Sequence, residues 1–290
     1  MATFESAEIV RTAEGRQYHL GLGPEDVAPF CLLCGDPARA EKVSKRFDAV
    51  RFTGQTREYV TFTGTYRGVP LTVLSTGIGP DNTEIAVIEY CQLVAEPTFL
   101  RIGSCGALRP AIELGDLVVS TGAVRLENTT SFFVVDGYPA VAHHGVTLAL
   151  IEACEGRGLP YHLGLTACAP GFYGAQARKV PGFPVRFPDL PEQLERMNVA
   201  NFEMETSALF VLSALRGVRA GCVCAVYANR HKNVFIDTGT KDRAEASCIE
   251  AGLGAILVLS RMDAARDAAK APHWRPSLGL GPGPGLEARG

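Results

Sequence analysis

The chain has 290 residues, 47% of them hydrophobic and 20% charged, so it can form one large domain or two small ones with a sizeable core. Its formal net charge of −3 at pH 7 gives no electrostatic reason to expect nucleic acid or a membrane surface as a partner. Its apolar runs are too short to span a bilayer and its first residues do not match a signal peptide, so we expect a soluble, cytoplasmic protein.

The first part of the chain predicts strands and helices with an antiparallel segment between them. Residues 1–16 are polar and unpatterned, which predicts a flexible N-terminal arm. Residues 30–34 form an apolar run that indicates a buried strand, and residues 38–47 have helical character. Alternating residues over 51–78 predict antiparallel strands, and apolar spacing predicts a helix over 82–94.

The second part continues the alternation of strands and helices. Its predicted elements are a strand around 117–119, a helix at 147–155, a strand at 162–168, a surface excursion at 181–197, a helix from 201 to 215, a strand at 219–227 and a helix from 237 to about 269. This alternation indicates a single α/β domain, residues 17–270, with a mixed central β-sheet flanked by α-helices. The Gly/Pro-rich residues 271–290 predict a disordered tail.

Nine cysteines are spread through apolar stretches, and their number is odd. This pattern favours reduced, buried thiols over a disulfide framework. Cys31 and Cys34 have the spacing of a redox or zinc pair, but they lie in a strand-like run with no second pair at zinc spacing. We therefore expect no metal site there.

A single arginine, Arg101, interrupts the apolar run at residues 98–102. A buried arginine is costly unless an anion or a carboxylate pairs with it. Residues 103–106, Gly-Ser-Cys-Gly, predict a turn whose N–H groups and serine hydroxyl serve the same anion. Two interpretations remain open at this point, a phosphate pocket and a structural arginine paired with an acidic residue.

A second arginine, Arg39, lies near a predicted strand-to-helix junction that begins at Gly35. Because the amides of a helix N-terminus face outward there, such a junction is a potential anion site. Arg39 in the first turn of the helix strengthens this hypothesis.

Two acids, Glu203 and Glu205, precede an apolar helix with Met204 between them. One interpretation is that these acids are favoured by the helix macrodipole. The other is that a carboxylate accepts hydrogen bonds from the vicinal hydroxyls of a ribose, above an apolar floor formed by Met204.

Gln176 and Arg178 follow an aromatic pair in a glycine-rich loop. A glutamine amide and a planar guanidinium match one edge of a uracil ring, where an N–H lies between two carbonyls, and Phe172 can pack on a face of that ring. The alternative is a solvated loop without a ligand.

Seven segments together resemble the nucleoside phosphorylase family in residues, order and spacing, most closely its uridine-cleaving members. They are residues 19–22 (HLGL), 35–39 (GDPAR), 57–58 (RE), 75–79 (STGIG), 100–106 (LRIGSCG), 172–178 (FYGAQAR) and 202–205 (FEME). Each segment alone is a weak signal, but the combination is specific and spans roughly residues 17–262. The resemblance implies a partly closed barrel within the sheet.

The resemblance also implies roles for individual residues. The implied phosphate ligands are Gly35, Arg39, Arg101, Ser104 and, from a neighbouring subunit, Arg57. The implied nucleoside ligands are Phe172, Gln176, Arg178, Glu203, Met204, Glu205, Arg230 and, from the neighbour, His19. Of these, the family would assign catalysis to Arg39, Arg101, Gln176, Arg178 and Glu205. The chain departs from the common pattern at two places, because Ser104 replaces threonine and Gly174-Ala175 replaces Pro-Gly.

The implied reaction is reversible phosphorolysis of uridine to uracil and ribose 1-phosphate, a pentosyl transfer of pyrimidine nucleoside salvage. Phosphate is a co-substrate, no cofactor is implied, and some relatives hold a monovalent cation near the position of Glu58. Because two site residues come from a neighbour, the family implies a homo-oligomer with a dimer as its minimal unit, in some members a hexamer. The alternatives are a purine phosphorylase or nucleosidase of the same fold, and a non-catalytic nucleoside- or phosphate-binding protein.

Purine-cleaving members typically carry a Ser-Asp pair after the strand that corresponds to residues 223–227, and the Asp acts as an acid toward the purine. This chain reads Tyr-Ala-Asn-Arg at 227–230, without a carboxylate. A uracil can leave as an anion if a cation and an amide meet its oxygens. The sequence therefore favours a pyrimidine nucleoside over a purine nucleoside.

Overall fold

The computed structural model describes residues 7–280, and a sheet runs through their centre. The strands are β1 (Phe30–Cys34), β2 (Ala49–Thr56), β3 (Tyr59–Tyr66), β4 (Val69–Ser75), β5 (Thr98–Ala107), β6 (Leu117–Arg125), β7 (Ala140–Val141), β8 (Tyr161–Cys168), β9 (Val199–Glu203), β10 (Arg219–Asn229) and β11 (Val234–Phe235). The α-helices are α1 (Pro37–Ser44), α2 (Pro80–Cys91), α3 (His144–Glu155), α4 (Leu190–Arg196), α5 (Thr206–Arg216), α6 (Thr238–Ala268) and α7 (Ser277–Leu280). Short 3-10 helices occupy Pro24–Asp26 and Thr129–Phe132.

The sheet closes on itself over part of its width. Its order is β11-β10-β6-β8-β9-β5-β1-β4-β3-β2, and β10 also pairs with β5. Strands β10, β6, β8, β9 and β5 therefore form a closed ring, from which β1, β4, β3 and β2 extend as an open sheet. Parallel and antiparallel pairs both occur, which confirms the predicted α/β fold with a mixed, partly closed sheet.

Strand β5 is the element that joins the ring to the open part, because it pairs in parallel with both β1 and β10. Arg101 lies opposite Leu33 on one side and Cys222 on the other. The carboxyl ends of these three parallel strands meet at one edge of the sheet, where ligands of α/β folds commonly bind. Helices α3 and α6 pack together and, with α1, bury one face of the sheet in an apolar core.

The predicted turn at Gly103–Gly106 is wrong, because β5 continues to Ala107. Pairing with β10 extends through that segment to Ala107 opposite Asn229, with one irregularity near Val226. The glycine at 103 is needed for space, since a Cβ there would lie 2.8 Å from Arg101 Nη2 and 2.8 Å from Cys224 Sγ.

The start of the predicted helix at 201 is also wrong. Residues up to Glu203 belong to the buried strand β9, which pairs with β5 and β8, and α5 begins only at Thr206. Tertiary pairing overrides the acidic, helix-like pattern of this segment. The end of α5 agrees with expectation, because Gly217 adopts the left-handed conformation with φ 73°.

Parts of the predicted arm, of the predicted tail and of the 181–197 segment make contacts or form a helix. In the arm, Arg16 Nη1 donates to Gly21 O at 3.0 Å, and Arg16 forms ion pairs with Glu25 and Asp26. Helix α4 lies within the predicted excursion, and Trp274 packs against the core. The remainder of the predicted arm and tail, residues 1–6 and 281–290, lies outside the described residues.

Eight of the nine cysteines are buried, Cys91 being the partly exposed one. This burial confirms that the thiols pack into the core, and it raises the pKa of Cys34 to about 12. Over residues 7–280, no helix is both long and apolar enough to cross a membrane.

Candidate active site

A cavity of about 840 Å³ opens at the carboxyl ends of β1, β5 and β10. Ten of the thirteen predicted site residues line it. They are Gly35, Arg39, Arg101, Ser104, Phe172, Gln176, Arg178, Glu203, Met204 and Glu205. The other three, His19, Arg57 and Arg230, lie outside its wall. The fold thus collects residues that are up to 170 positions apart in sequence around one space.

Arg39 reaches this cavity from the first turn of α1, whose N-terminus is capped by Asp36 through a 2.9 Å bond from Ala38 N to Asp36 Oδ1. Gly35 lets the chain pass close to a neighbouring loop, since a Cβ at this position would lie 2.9 Å from Gly77 O. Arg39 itself is buried, and its Nη1 donates to Ile102 O at 3.3 Å.

Arg101 is only 5% exposed and pairs with two carboxylates. Its Nε donates to Glu203 Oε2 at 3.1 Å, and its Nη2 donates to Glu205. Of the two interpretations left open by the sequence, the ion pair is therefore present, and the same arginine also lines the cavity. No hydrogen-bond partner of Arg101 Nη1 is found among residues 7–280, so part of the five-donor guanidinium is not used by the protein.

The two acids differ in what they do for the fold. Glu203 accepts hydrogen bonds from Glu205 N at 2.8 Å and from Thr206 N at 3.0 Å, and so caps helix α5. Glu205 accepts from Gly79 N at 2.7 Å, which fixes the loop before α2 to the cavity wall. Burial raises the pKa of Glu205, although the nearby charge of Arg101 partly offsets this effect.

Another part of the cavity wall is formed by the loop after β8. Arg178 Nη1 donates to Gln176 Oε1 and to Phe172 O, both at 2.6 Å, and the Arg178 Cζ lies 3.6 Å from the centroid of the Phe172 ring. Arg230 contacts this loop, because its Nη1 donates to Gln176 O at 3.0 Å. Burial, helped by the charge of Arg230, lowers the pKa of Arg178 to about 10.

The two residues expected from a neighbouring subunit lie together on the outside of the chain. His19 Nδ1 is 2.6 Å from Glu89 Oε1, and Arg57 is exposed with its Cζ 5.8 Å from the ring centroid of Tyr18. They do not reach this chain's own cavity, whereas the next residue, Glu58, lines it. Their contribution to a neighbour's site stays a prediction.

The cavity wall also holds side chains that sequence reasoning did not assign to the site, among them Tyr227 and Lys241. Lys241 extends from the first turn of α6, and its Nζ lies 5.8 Å from the centroid of the Tyr227 ring. No spacing rule connects a strand residue to a helix residue in this way. In the described part of the chain, no cluster of three or more His, Cys, Asp or Glu side chains could hold a metal ion.

Comparison with known proteins identifies the family of this arrangement. The sequence pattern of the Phosphorylase superfamily matches residues 29–255. The chain belongs to this superfamily. It is 45% identical to a uridine phosphorylase of Thermococcus kodakarensis, over 95% of this chain and 98% of the relative. It is 34% identical to a guanosine phosphorylase of Halorubrum lacusprofundi, over 74% of this chain and 84% of the relative.

A solved structure has the same fold as this chain. It is a nucleoside phosphorylase of Trypanosoma brucei that shows uridine phosphorylase activity, and it superimposes with a TM-score of 0.77 at 28% identity. The match covers 84% of this chain and 98% of the other. The resemblance stated from the sequence is therefore confirmed at the level of family and fold.

Proposed function

We propose that the chain catalyses the reversible phosphorolysis of uridine to uracil and ribose 1-phosphate. One observation carries this proposal: a single cavity is lined both by Arg39, Arg101 and Ser104, the proposed phosphate end, and by Gln176 and Arg178, the proposed base end. The first set suits an inorganic anion and the second suits a uracil edge. The similarity to uridine phosphorylases supports the same activity.

The arginines supply the phosphate end of the reaction. Cleavage of the bond between ribose C1′ and uracil N1 develops positive charge on the ribose, which an adjacent phosphate stabilises. A phosphate oxygen then forms the new bond to C1′, and the electron pair of the broken bond leaves with the base. The ion pairs of Arg39 and Arg101 use only part of each guanidinium, and the remaining N–H groups are available to a phosphate.

At the other end, Gln176 and Arg178 meet the negative charge that develops on the departing uracil. Donors fixed in a partly desolvated site typically lower the barrier by about 2–4 kcal/mol each. In this scheme Glu205 accepts hydrogen bonds from ribose hydroxyls. Positioning and preorganised charge account for the rate in this scheme, so it requires phosphate as co-substrate and no organic cofactor.

The choice of a pyrimidine is supported by the end of β10. The acid that serves purine-cleaving relatives has no counterpart at Tyr227–Arg230. Asn229 is occupied by the fold, because its Nδ2 donates to Ile112 O at 2.8 Å. A purine leaving group would therefore lack a proton donor here, whereas uracil can leave as an anion.

One assay separates this function from its alternatives. Uridine, thymidine and inosine are each incubated with and without phosphate, and release of the base is followed by chromatography. We expect phosphate-dependent release of uracil and no release of hypoxanthine. Release without phosphate would indicate a nucleosidase, release of hypoxanthine a purine phosphorylase, and binding without turnover a non-catalytic protein.

We also propose a cytoplasmic homo-oligomer with a dimer as its minimal active unit. Nine unpaired cysteines support a reducing compartment. The outward position of His19 and Arg57 supports their use in a neighbour's site. Sedimentation at assay concentration tests the assembly, and a fully active monomer would contradict it.

A further inference from the structure

Glu245 is a buried acid on α6 that the reaction scheme above does not use. It is 4% exposed, and its Oε1 accepts a hydrogen bond from Arg39 Nε at 2.8 Å. Its other oxygen pairs with Lys42 Nζ. Glu245 does not line the cavity, so it contacts the candidate phosphate site only through Arg39.

The consequence for Arg39 is a fixed orientation. Glu245 holds the Nε side of the guanidinium, and Ile102 O accepts from Nη1 at 3.3 Å. Within the described residues Nη2 has no carboxylate or backbone partner, the Tyr227 hydroxyl lies near the guanidinium, and Arg39 lines the cavity. A long side chain that would otherwise sample many rotamers is thus held with one face toward the anion site, which reduces the entropy lost when an anion binds.

Glu245 also has an electrostatic effect of opposite sign. Its negative charge reduces the net positive charge around Arg39, and this by itself weakens attraction of an anion. The pKa of Glu245 is lowered, since the hydrogen bonds from Lys42 and Arg39 outweigh the effect of burial, so the acid is ionised at neutral pH. If Glu245 acts mainly by orienting Arg39, its substitution should weaken phosphate binding. If it acts mainly through its charge, its substitution should strengthen phosphate binding.

We propose that Glu245 is a positioning residue for phosphate: it acts by orienting Arg39, and this effect exceeds its electrostatic cost. The inference rests on the proposed phosphorolysis. It assigns helix α6 a part in substrate binding although the carboxylate of Glu245 does not touch substrate.

Two conservative variants separate the two effects. Glu245→Asp keeps the charge but withdraws the carboxylate by one methylene, so Arg39 Nε loses its acceptor. Glu245→Gln removes the charge but keeps an oxygen that can accept from Arg39. A matched control is Glu250→Asp, because Glu250 lies on the same helix and pairs with Arg46 and Arg157 away from the cavity.

Steady-state kinetics measure the effect: varying phosphate at saturating uridine gives KM for phosphate, and varying uridine at saturating phosphate gives KM for uridine. We expect Glu245→Asp to raise KM for phosphate roughly tenfold, as the loss of a charge-assisted hydrogen bond implies, with KM for uridine within about twofold. We expect Glu245→Gln to stay within about threefold of wild type and the control to match wild type.

Addition of Arg39→Met completes the test. If Glu245 acts through Arg39, the Asp substitution adds no further rise in KM for phosphate in that background. An unchanged KM in Glu245→Asp, or a lower KM in Glu245→Gln, would overturn the inference. Phosphate-independent turnover of the wild-type protein would instead overturn the proposed function, and the two failures are thus distinguishable.

Discussion

The two ends of the cavity are built in different ways. At the phosphate end, Arg101 is 5% exposed and pairs with acids about a hundred positions away in sequence, and Arg39 pairs with Glu245, 206 positions away. At the base end, Phe172 is 45% exposed, and Arg178 bonds to residues two and six positions before it. The first end depends on the complete fold, whereas the second is held mostly within one loop.

This difference separates residues that stabilise the fold from residues that can vary without affecting it. Phosphate is small and always charged, so it can be bound by arginines that are held rigidly in the core by their ion pairs. Bases differ in the hydrogen-bonding groups on their edges. A loop suits their recognition because its residues can change without disturbing the sheet. Substitutions at the two ends should therefore differ in their effect on folding even where they reduce activity similarly.

The largest expected effect is that of Arg101→Met. This change leaves Glu203 and Glu205 buried without their cation, so we expect the free energy of unfolding to fall by about 3–5 kcal/mol, together with a loss of phosphorolysis. Denaturant titration and kcat/KM for uridine measure the two effects. A variant that is both stable and active would show that Arg101 is needed neither for folding nor for phosphorolysis.

The next effect separates the two ends. Arg178→Ala should reduce kcat/KM for uridine about 10²–10³-fold, because the departing base loses its cation. The free energy of unfolding should change by less than about 0.5 kcal/mol, since the contacts of Arg178 lie within its own loop. Arg186→Ala is the control, because Arg186 is exposed beside Phe187 and outside the cavity. Wild-type turnover of Arg178→Ala would refute its role.

A pair of glycine substitutions tests the backbone at each end. In Gly35→Ala the new methyl group would lie 2.9 Å from Gly77 O, so we expect a loss of about 1–3 kcal/mol in the free energy of unfolding. In Gly174→Ala the methyl group meets nothing within 4 Å, so we expect a change below about 0.5 kcal/mol. Equal losses in thermal or chemical denaturation would show that the loop is as tightly packed as the phosphate end.

The smallest effect concerns pH. The folded-state pKa of Glu245 lies below its ordinary value of 4.5, so its ion pairs stabilise the fold fully above that pH and progressively less as the pH falls through the folded pKa. The difference in free energy of unfolding between wild type and Glu245→Gln should be constant near neutral pH and shrink below 4.5. A difference that grows on acidification would contradict this sign.

Local signals in the sequence predicted much of the fold and the content of the cavity. The predicted start of a helix at 237 and the predicted end of another at 215 agree with α6 and α5, because Asp237 and Gly217 have conformational preferences that act over a few positions. The loop residues Gln176 and Arg178 were recognised because their chemistry matches one edge of a base. The resemblance to the nucleoside phosphorylase family then assigned these separate segments to one site. Patterns of neighbouring residues cannot do this, because the segments lie far apart in the sequence.

The errors and omissions arose where distant parts of the chain meet. Strand β5 passes through Gly103 without turning because β10 pairs with it along that length. Glu203 caps α5 from the end of a strand, so its acidic character was assigned to a helix that starts later. Lys241 lines the cavity and Glu245 contacts Arg39, both from a helix whose own pattern carries no sign of a ligand.

We propose that this cavity transfers ribose from uracil to a phosphate held by Arg39 and Arg101. A product analysis that quantifies uracil, ribose 1-phosphate and free ribose in one reaction of uridine with phosphate tests this transfer. We expect uracil and ribose 1-phosphate in equal amounts, with no reaction when phosphate is left out. Free ribose as the sugar product, at a rate independent of phosphate, would contradict it.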